Sequence, residues 1–209
     1  LDAARKASVR RVVYAASSSA YGDTPGALRK ETDAIAPLSP YAAAKLAGEH
    51  YCKAFTASYG LETVRLRFFI IFWPRPEPKN PYTGVIALFI AAMSQGKKPV
   101  VFGDGLQSRD FTYVLNATQA VIKAADAPAA IGKVYNIGVG GNTSLLDLIA
   151  GLNQLLGQKL EPVFQEARAG DVRHSQADIS AAQLDLGYEP TFTFMEGLKA
   201  TLEAHLASK

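Results

Sequence analysis

The chain has 209 residues, 48% of them hydrophobic and 20% charged, with a net charge of +3. This is ordinary composition for a globular protein with a real core. The scattered basic residues, not interleaved with aromatics, give no footprint for a nucleic-acid partner. No apolar run reaches the ~18 residues a membrane helix needs, so no membrane partner is expected. The single cysteine, Cys52, excludes an internal disulfide and fits a reducing, cytoplasmic compartment.

Leu1 to Ala7 has helical composition but no opening cap, so it is expected to be the end of a helix that starts upstream, in a chain forming the C-terminal part of a longer protein. Arg11 to Ala16 (Arg-Val-Val-Tyr-Ala-Ala) reads as a strand buried on both faces, as in a parallel sheet. Ser17-Ser18-Ser19-Ala20-Tyr21-Gly22 follows directly. Three hydroxyls at a strand's carboxyl end stand where open α/β sheets bind ligands, or they form a serine-rich turn bonded to its own backbone. Asp23 to Pro37 is a polar loop. Ser39 is a good N-cap and Pro40 suits the first helical position. The helix they open runs to about Ser58 and stops at Gly60, a natural left-handed cap. Thr63 to Phe69 is the next strand, so strand, helix and strand make one βαβ unit with a right-handed crossover.

Proline then punctuates the chain from Phe72 to Tyr82, a loop leaving the sheet. A helix at about Val85 to Gln95, a strand at Val100 to Phe102, a turn at Gly103-Asp104-Gly105 and a strand from Arg109 to Val114 follow. Next come a helix from Ala117 to Ala127, a strand from Lys133 to Gly138, a Ser144-capped helix from Leu145 to Leu156 and a strand at Glu161 to Phe164. Arg168 to Ser175 reads as polar loop, Ile179 to Asp185 as helix, and Phe194 to His205 as a last helix with a Thr193/Glu196 capping box. Alternating strands and helices give an α/β fold: a parallel sheet first, then a smaller α/β region with shorter strands.

Tyr41 and Lys45 lie four residues apart, on one face of a helix. A phenol beside an ammonium is a proton-transfer device, because the cation favours the phenolate. On its own this spacing is common in helices by chance, as an exposed tyrosine and a solvated lysine. The preceding serines shift the balance: a serine can hold a substrate hydroxyl while the tyrosine takes its proton.

With these motifs in order, the chain resembles the extended short-chain dehydrogenase/reductase family, in its NAD-dependent nucleotide-sugar epimerase/dehydratase branch. The resemblance rests on Ser17 to Gly22, Pro40 to Lys45, Gly103-Asp104-Gly105 with Arg109-Asp110-Phe111, and Arg168 to Ser175. In texture it is most similar to bacterial UDP-N-acetylglucosamine 4-epimerases, through Asn136 to Gly141, Gly170 to Ser175 and Ala177 to Ser180. It implies a C-terminal part of a Rossmann-like sheet, with residues 1–70 and 104–137 belonging to the NAD-binding domain and 71–103 and 138–209 to a nucleotide-sugar region. It implies Tyr41 as catalytic base, Lys45 as its partner and a holder of the nicotinamide ribose, Ser17 as the catalytic hydroxyl, and Phe68 beside the cofactor. Ser18 and Ser19 are then sugar contacts, Arg109 and Arg168 diphosphate ligands, and Ser175 the small residue that leaves room for an N-acetyl group. The alternative for both arginines is a surface ion pair, with the motif context favouring phosphate.

The implied reaction is NAD-dependent C4 epimerisation of a UDP-hexose, UDP-N-acetylglucosamine first, through a transient 4-keto sugar. UDP-glucose and UDP-glucuronate are the alternatives within the family. Ser-Ser-Ala at 18–20 lacks the acidic residue that a 4,6-dehydratase places there. Three departures stand out. The chain has no Gly-x-x-Gly-x-x-Gly turn for a pyrophosphate. Ile70 stands where the family has a substrate-binding Asn, next to Phe68 in place of Tyr. Trp73 replaces a Gly. A truncated or non-catalytic relative that binds a nucleotide sugar or a partner is therefore the alternative outside catalysis. A homodimer through the Tyr41 helix is expected of a full-length family member and is uncertain for this chain.

Overall fold

The computed structural model describes residues 1–24, 26–74, 84–167 and 173–207. A short helix α1 (Asp2–Lys6) precedes β1 (Arg11–Ser17), a 3₁₀ turn (Ser18–Tyr21) and the short β2 (Leu28–Arg29). Helix α2 (Pro40–Tyr59) leads to β3 (Glu62–Phe68) and β4 (Ile70–Phe72). Then come α3 (Val85–Met93), β5 (Val100–Phe102), β6 (Ser108–Arg109), β7 (Phe111–Tyr113), α4 (Val114–Asp126), β8 (Val134–Ile137) and β9 (Thr143–Ser144). The chain closes with α5 (Leu145–Leu156), β10 (Val163–Gln165), β11 (His174–Ala177), α6 (Ser180–Leu186) and α7 (Phe194–Ala207).

The expected βαβ unit is present. β1 pairs parallel with β3, and β3 parallel with β8, in the order β1-β3-β8. α2 crosses over between the first two, as a parallel pair requires. Its ends form as the sequence dictates: the Ser39 hydroxyl accepts the Ala42 N–H at 3.1 Å, Pro40 opens the first turn, and Gly60 closes the helix at φ 68°. At Gly48 the helix comes so close to the sheet that a Cβ would run into the Tyr14 ring, 2.9 Å from Cε1. The other face of this sheet carries an apolar cluster of Val64, Leu66, Tyr135 and Ile137 against α4 and α6.

The remaining strands are short and come from distant parts of the chain. Four join as β2-β11-β6-β9, parallel except for β6 with β9; β4 pairs with β7, and β10 with β5. A second apolar cluster joins Phe72, Ile90, Met93, Val101, Phe111 and Leu148 to Leu152 and Leu198. Ser144 and Asp147 form a capping box on α5. At α7 the Thr193 N–H donates to Glu196 at 2.8 Å while the Thr193 hydroxyl accepts the Glu196 N–H at 3.3 Å, the box the sequence predicts.

Six expectations are corrected. β1 is the edge strand of its sheet and mostly half-buried, not buried on both faces. The stretch read as a polar loop from Asp23 to Pro37 contains β2, which pairs with β11. The strand read from Arg109 to Val114 is two strands, β6 and β7, divided by a buried Asp110 whose flanks belong to different sheets. The helix expected from Ala117 begins at Val114, because Asn116 is no loop residue: its buried amide accepts the Thr191 and Phe192 N–H groups at 3.0 Å each. Phe72 ends β4 rather than opening a loop, since Ile70–Phe72 finds a partner in β7; most of the proline-rich stretch after it (75–83) lies outside the described residues. His174 and Ser175 belong to β11, whose polar sequence carries no apolar alternation and is held by register with β6 and β2. No helix among the described residues is long and apolar enough to cross a membrane.

Candidate active site

The first group of predicted residues assembles at the carboxyl end of β1. Lys45 Nζ donates to the Ala15 carbonyl at 2.9 Å, which lays the first turns of α2 across the strand end two residues before Ser17. The same ammonium stands 5.8 Å from the Tyr41 ring centre and 5.7 Å from that of Tyr14. Tyr14 is a support: its hydroxyl donates to the Lys45 carbonyl at 3.3 Å, and burial pushes its phenol pKa up. Tyr41 is 59% exposed, so its side chain is accessible from solvent. One of the three Lys45 donors is spent on Ala15, leaving two for a ligand.

Ser17 ends β1 in extended conformation and caps the 3₁₀ turn. Its Oγ accepts the Ser19 N–H at 3.2 Å and the Ser19 hydroxyl at 2.8 Å. Accepting twice, it keeps its own proton to donate. In register, Ser17 lies beside Phe68 of β3, which lies beside Ile137 of β8, so Ser17 and Phe68 stand together at the sheet's carboxyl end, the end at which open α/β sheets bind ligands. The Ser18 backbone starts the turn between them and Tyr21.

The second group is brought together by strand pairing. Arg109 of β6 and Ser175 of β11 are register partners. Arg109 donates to the Ser108 carbonyl at 2.9 Å and the Arg173 carbonyl at 3.4 Å, so its guanidinium is anchored on the backbone of β6 and of the residue before β11. Arg168 lies outside the described residues. Ile70 is 40% exposed on β4, offering no hydrogen-bonding side chain where the resemblance calls for one.

A buried polar string connects the two groups, and the sequence reading passed over it. Arg67 of β3 makes a bidentate pair with Glu49 of α2, at 2.9 and 2.8 Å, with both side chains at most 4% exposed. Its third contact is the Tyr21 hydroxyl at 3.0 Å, which donates onward to Asn136 Oδ1 at 2.7 Å. The Asn136 amide donates to the Arg29 carbonyl on β2 at 2.8 Å, and β2 pairs with β11. Burial alone disfavours the Arg67 charge; the Glu49 carboxylate and Tyr21 oxygen outweigh it and hold the guanidinium more firmly protonated than usual. Nearby, burial raises the Glu31 carboxyl pKa against the pull of the Asn136 N–H, which it accepts at 2.7 Å. The signal in the sequence was the alternation Thr-Val-Arg-Leu-Arg-Phe in β3, since two charges in a buried strand demand buried partners. Glu49, one turn beyond Lys45, was the available acid.

These features meet in a family comparison. The model of the NAD dependent epimerase/dehydratase family matches residues 1–138. The chain belongs to this family. It is 36% identical over 203 residues to the UDP-glucose 4-epimerase of Mycolicibacterium smegmatis, covering 97% of this chain and 64% of that protein. Among solved structures it is similar to a UDP-N-acetylglucosamine 4-epimerase from Methanobrevibacter ruminantium in complex with UDP-N-acetylmuramic acid, with TM-score 0.94, 35% identity, and coverage of 100% of this chain and 66% of that one. It is also similar to the UDP-glucuronic acid 4-epimerase of Bacillus cereus in complex with UDP-glucuronic acid and NAD, with TM-score 0.90, 32% identity, and coverage of 100% and 65%. The chain spans between about half and two thirds of the length of the curated relatives it matches, from 47% to 64%.

The residues present fit one half of a dinucleotide. Two ammonium donors of Lys45 and the hydroxyl of the exposed Tyr41 match the diol of a ribose in chemistry. The pyrophosphate-binding glycine turn of the family has no counterpart in the sequence.

Proposed function

We propose that this chain carries the proton-transfer and nucleotide-sugar part of an NAD-dependent UDP-hexose 4-epimerase, with UDP-N-acetylglucosamine and its galactosamine epimer as substrates. The observation that carries the reading is the Lys45–Ala15 hydrogen bond. It fixes the Tyr41/Lys45 turn of α2 over the end of β1, where Ser17 keeps a free proton. In this reading residues 1–70 and 104–137 are the rest of an NAD-binding domain, and 71–103 and 138–209 the nucleotide-sugar region.

Tyr41 Oη takes the proton of the sugar C4 hydroxyl. Ser17 Oγ–H holds that oxygen and orders the transfer, Lys45 keeps its charge beside the phenol and binds the nicotinamide ribose, and Phe68 flanks the cofactor. The bound NAD supplies hydride acceptance and return at C4. Once the keto sugar has turned about its diphosphate, Tyr41 returns the proton to the new C4 oxygen. Ser18 and Ser19 contact the sugar, while Arg109 and Arg168 bind the diphosphate through planar guanidinium donors. Ser175, beside Arg109 on the adjacent strand, leaves space for an acetamido group. A full-length form of the protein acts as a cytoplasmic homodimer.

Titration with UDP, UDP-N-acetylglucosamine, UDP-glucose and UDP-glucuronate tests the substrate half on the 209-residue chain itself. The N-acetylated sugar is expected to bind, and absence of binding by every UDP compound overturns the reading. Turnover is followed by NMR with NAD⁺ and with the glycine-turn segment of a relative fused ahead of Leu1. Epimerisation of UDP-glucose or UDP-glucuronate in preference to the N-acetylated sugar overturns the assignment of Ser175. A second reading, a nucleotide-sugar binder without catalysis, is favoured by Ile70 on β4, and binding without turnover in the fused protein selects it.

A further inference from the structure

Asp110 is the residue at which the chain changes sheets. Its backbone N–H donates to the Ser175 carbonyl at 2.9 Å, continuing the pairing of β6 with β11. Its backbone carbonyl accepts the Ile70 N–H at 3.2 Å, beginning the pairing of β7 with β4. Such a switch leaves the direction of β6, and so of Arg109, to be set by something other than a continuous ladder.

The Asp110 side chain is placed to set it. The residue is fully buried. One carboxylate oxygen accepts the Val139 N–H at 2.9 Å and the Thr112 hydroxyl at 3.1 Å; the other accepts the Gly140 N–H at 2.9 Å and the Ala177 N–H at 3.3 Å. These donors lie on β7, on the turn after β8, and on β11. Burial pushes this carboxyl pKa up, and the four hydrogen bonds pull against it. The glycine-rich stretch Gly138-Val139-Gly140-Gly141 is thereby explained: it is an anion nest filled by the protein's own carboxylate. Gly140 sits at φ 71°, and a Cβ on Gly138 would overlap the Asp110 carboxylate and lie 2.7 Å from Ala177 Cβ.

We propose that Asp110 is a positioning residue for nucleotide-diphosphate binding, locking β6 to β11 and the glycine turn so that Arg109 and Ser175 are presented together. The proposal rests on the nucleotide-sugar reading of this chain. A carboxylate is required because both oxygens must accept: an isosteric amide would set an NH₂ against two of the four donors. The effect reaches the ligand through Arg109, one residue away, and Asp110 itself touches no ligand.

The test is calorimetric titration of UDP into the 209-residue chain as wild type, Asp110→Asn, Thr112→Val, Arg109→Ala and the Asp110→Asn/Arg109→Ala double variant, each with a urea unfolding curve. Asp110→Asn is expected to weaken UDP about tenfold and Thr112→Val about threefold. In the Arg109→Ala background the Asp110→Asn loss shrinks to less than about twofold, the non-additivity expected of two residues that act together. A purely structural role moves the urea midpoint and leaves the UDP affinity of the folded protein in place. Unchanged affinity in Asp110→Asn, or the same loss with and without Arg109, overturns the proposal. If Asp110→Asn does not fold, unchanged affinity in Thr112→Val overturns it. A wild-type chain that binds no UDP overturns the nucleotide-sugar reading instead, and the role of Asp110 with it.

Discussion

The β1–α2–β3 unit and the β6–β11 pair each gather site residues, by opposite means. In the first, Ser17, Tyr41 and Lys45 come from one contiguous stretch, and ordinary local chemistry places them: a Ser-Pro cap, a glycine stop and a single crossover. In the second, Arg109 and Ser175 meet through a register of two residue pairs, between strands far apart in sequence. Two-residue strands carry little ladder energy of their own. Their geometry has to come from buried polar anchors such as Asp110 and Asn136, whose hydrogen bonds are costly to leave unmade. The Ser17–Tyr41–Lys45 group thus rests on a parallel pairing seven residues long, and the Arg109–Ser175 pair depends on a few side chains outside it.

The comparison breaks most sharply at Tyr41. Tyr41→Phe keeps the ring and the helix and removes only the hydroxyl, so in a catalytically complete protein turnover is expected to fall about 10²–10⁴-fold. UDP-sugar affinity, which the proposed reading assigns to Arg109, Arg168 and the serines rather than to the phenol, should stay near that of wild type. Single-turnover kinetics beside a binding titration reads both quantities, and unchanged turnover refutes Tyr41 as the base.

Next comes the string that joins the groups. Glu49→Ala leaves the Arg67 guanidinium buried without its carboxylate, and stripping one partner from a buried pair costs about 3–5 kcal/mol. Urea unfolding is expected to show a loss of this size. Tyr21 hydrogen-bonds both Arg67 and Asn136, so exchange protection should fall in the Ser17–Tyr21 turn and at β2 together. A loss confined to α2 would show that the two groups are independent.

The unequal legibility of the two regions has a physical origin. The βαβ unit could be read because its signals are local: Ser39, Pro40 and Gly60 mark the ends of α2, and Val64 and Leu66 mark the buried strand β3, while Val12 and Val13 mark a strand that proves only half-buried. The Thr193 and Ser144 caps were legible for the same reason. Asp110 was not, because a charged residue between Arg109 and Phe111 looks like part of one amphipathic strand until the sheets on either side are known. His174 to Ala177 hid inside a polar loop because the register that makes them a strand is supplied by β6 and β2. Glu49 and Arg67 were visible as letters, but only packing shows that they face each other.

Gly48→Ala probes the contiguous region with a smaller push. Alanine gains about 1 kcal/mol of helix propensity over glycine, while overpacking costs about 1–3 kcal/mol. The new methyl would run into the Tyr14 ring, so overpacking is expected to win by about 1 kcal/mol and to displace the ring whose hydroxyl holds the Lys45 carbonyl. A lowered Tm with altered tyrosine fluorescence is the expected result. A stabilised variant would mean that α2 can shift along β1 without cost.

The smallest effect is expected at Asp185, and it separates buried from accessible anchoring. Its carboxylate accepts from Lys133 Nζ and the Tyr135 hydroxyl at 2.8 Å each, tying α6 to the end of β8, but Lys133 is half exposed. Asp185→Asn is therefore expected to cost about 1 kcal/mol or less. The Lys133 and Tyr135 hydrogen bonds hold the Asp185 carboxyl pKa below its ordinary value. A depressed folded-state value stabilises the fold above the unfolded value of about 3.9 and loses that contribution as pH falls through the folded one. The gap between wild type and Asp185→Asn should be full at pH 7 and close below about pH 4. Tyr135 has the opposite sign: burial and the Asp185 carboxylate raise its phenol pKa, so its contribution is present below the unfolded value of about 10 and fades as pH rises beyond it. Thermal melts of both proteins from pH 3 to 10 test this. A gap that stays constant with pH would show that Asp185 acts by packing alone, and that charge in this molecule counts only where it is buried, as at Glu49 and Asp110.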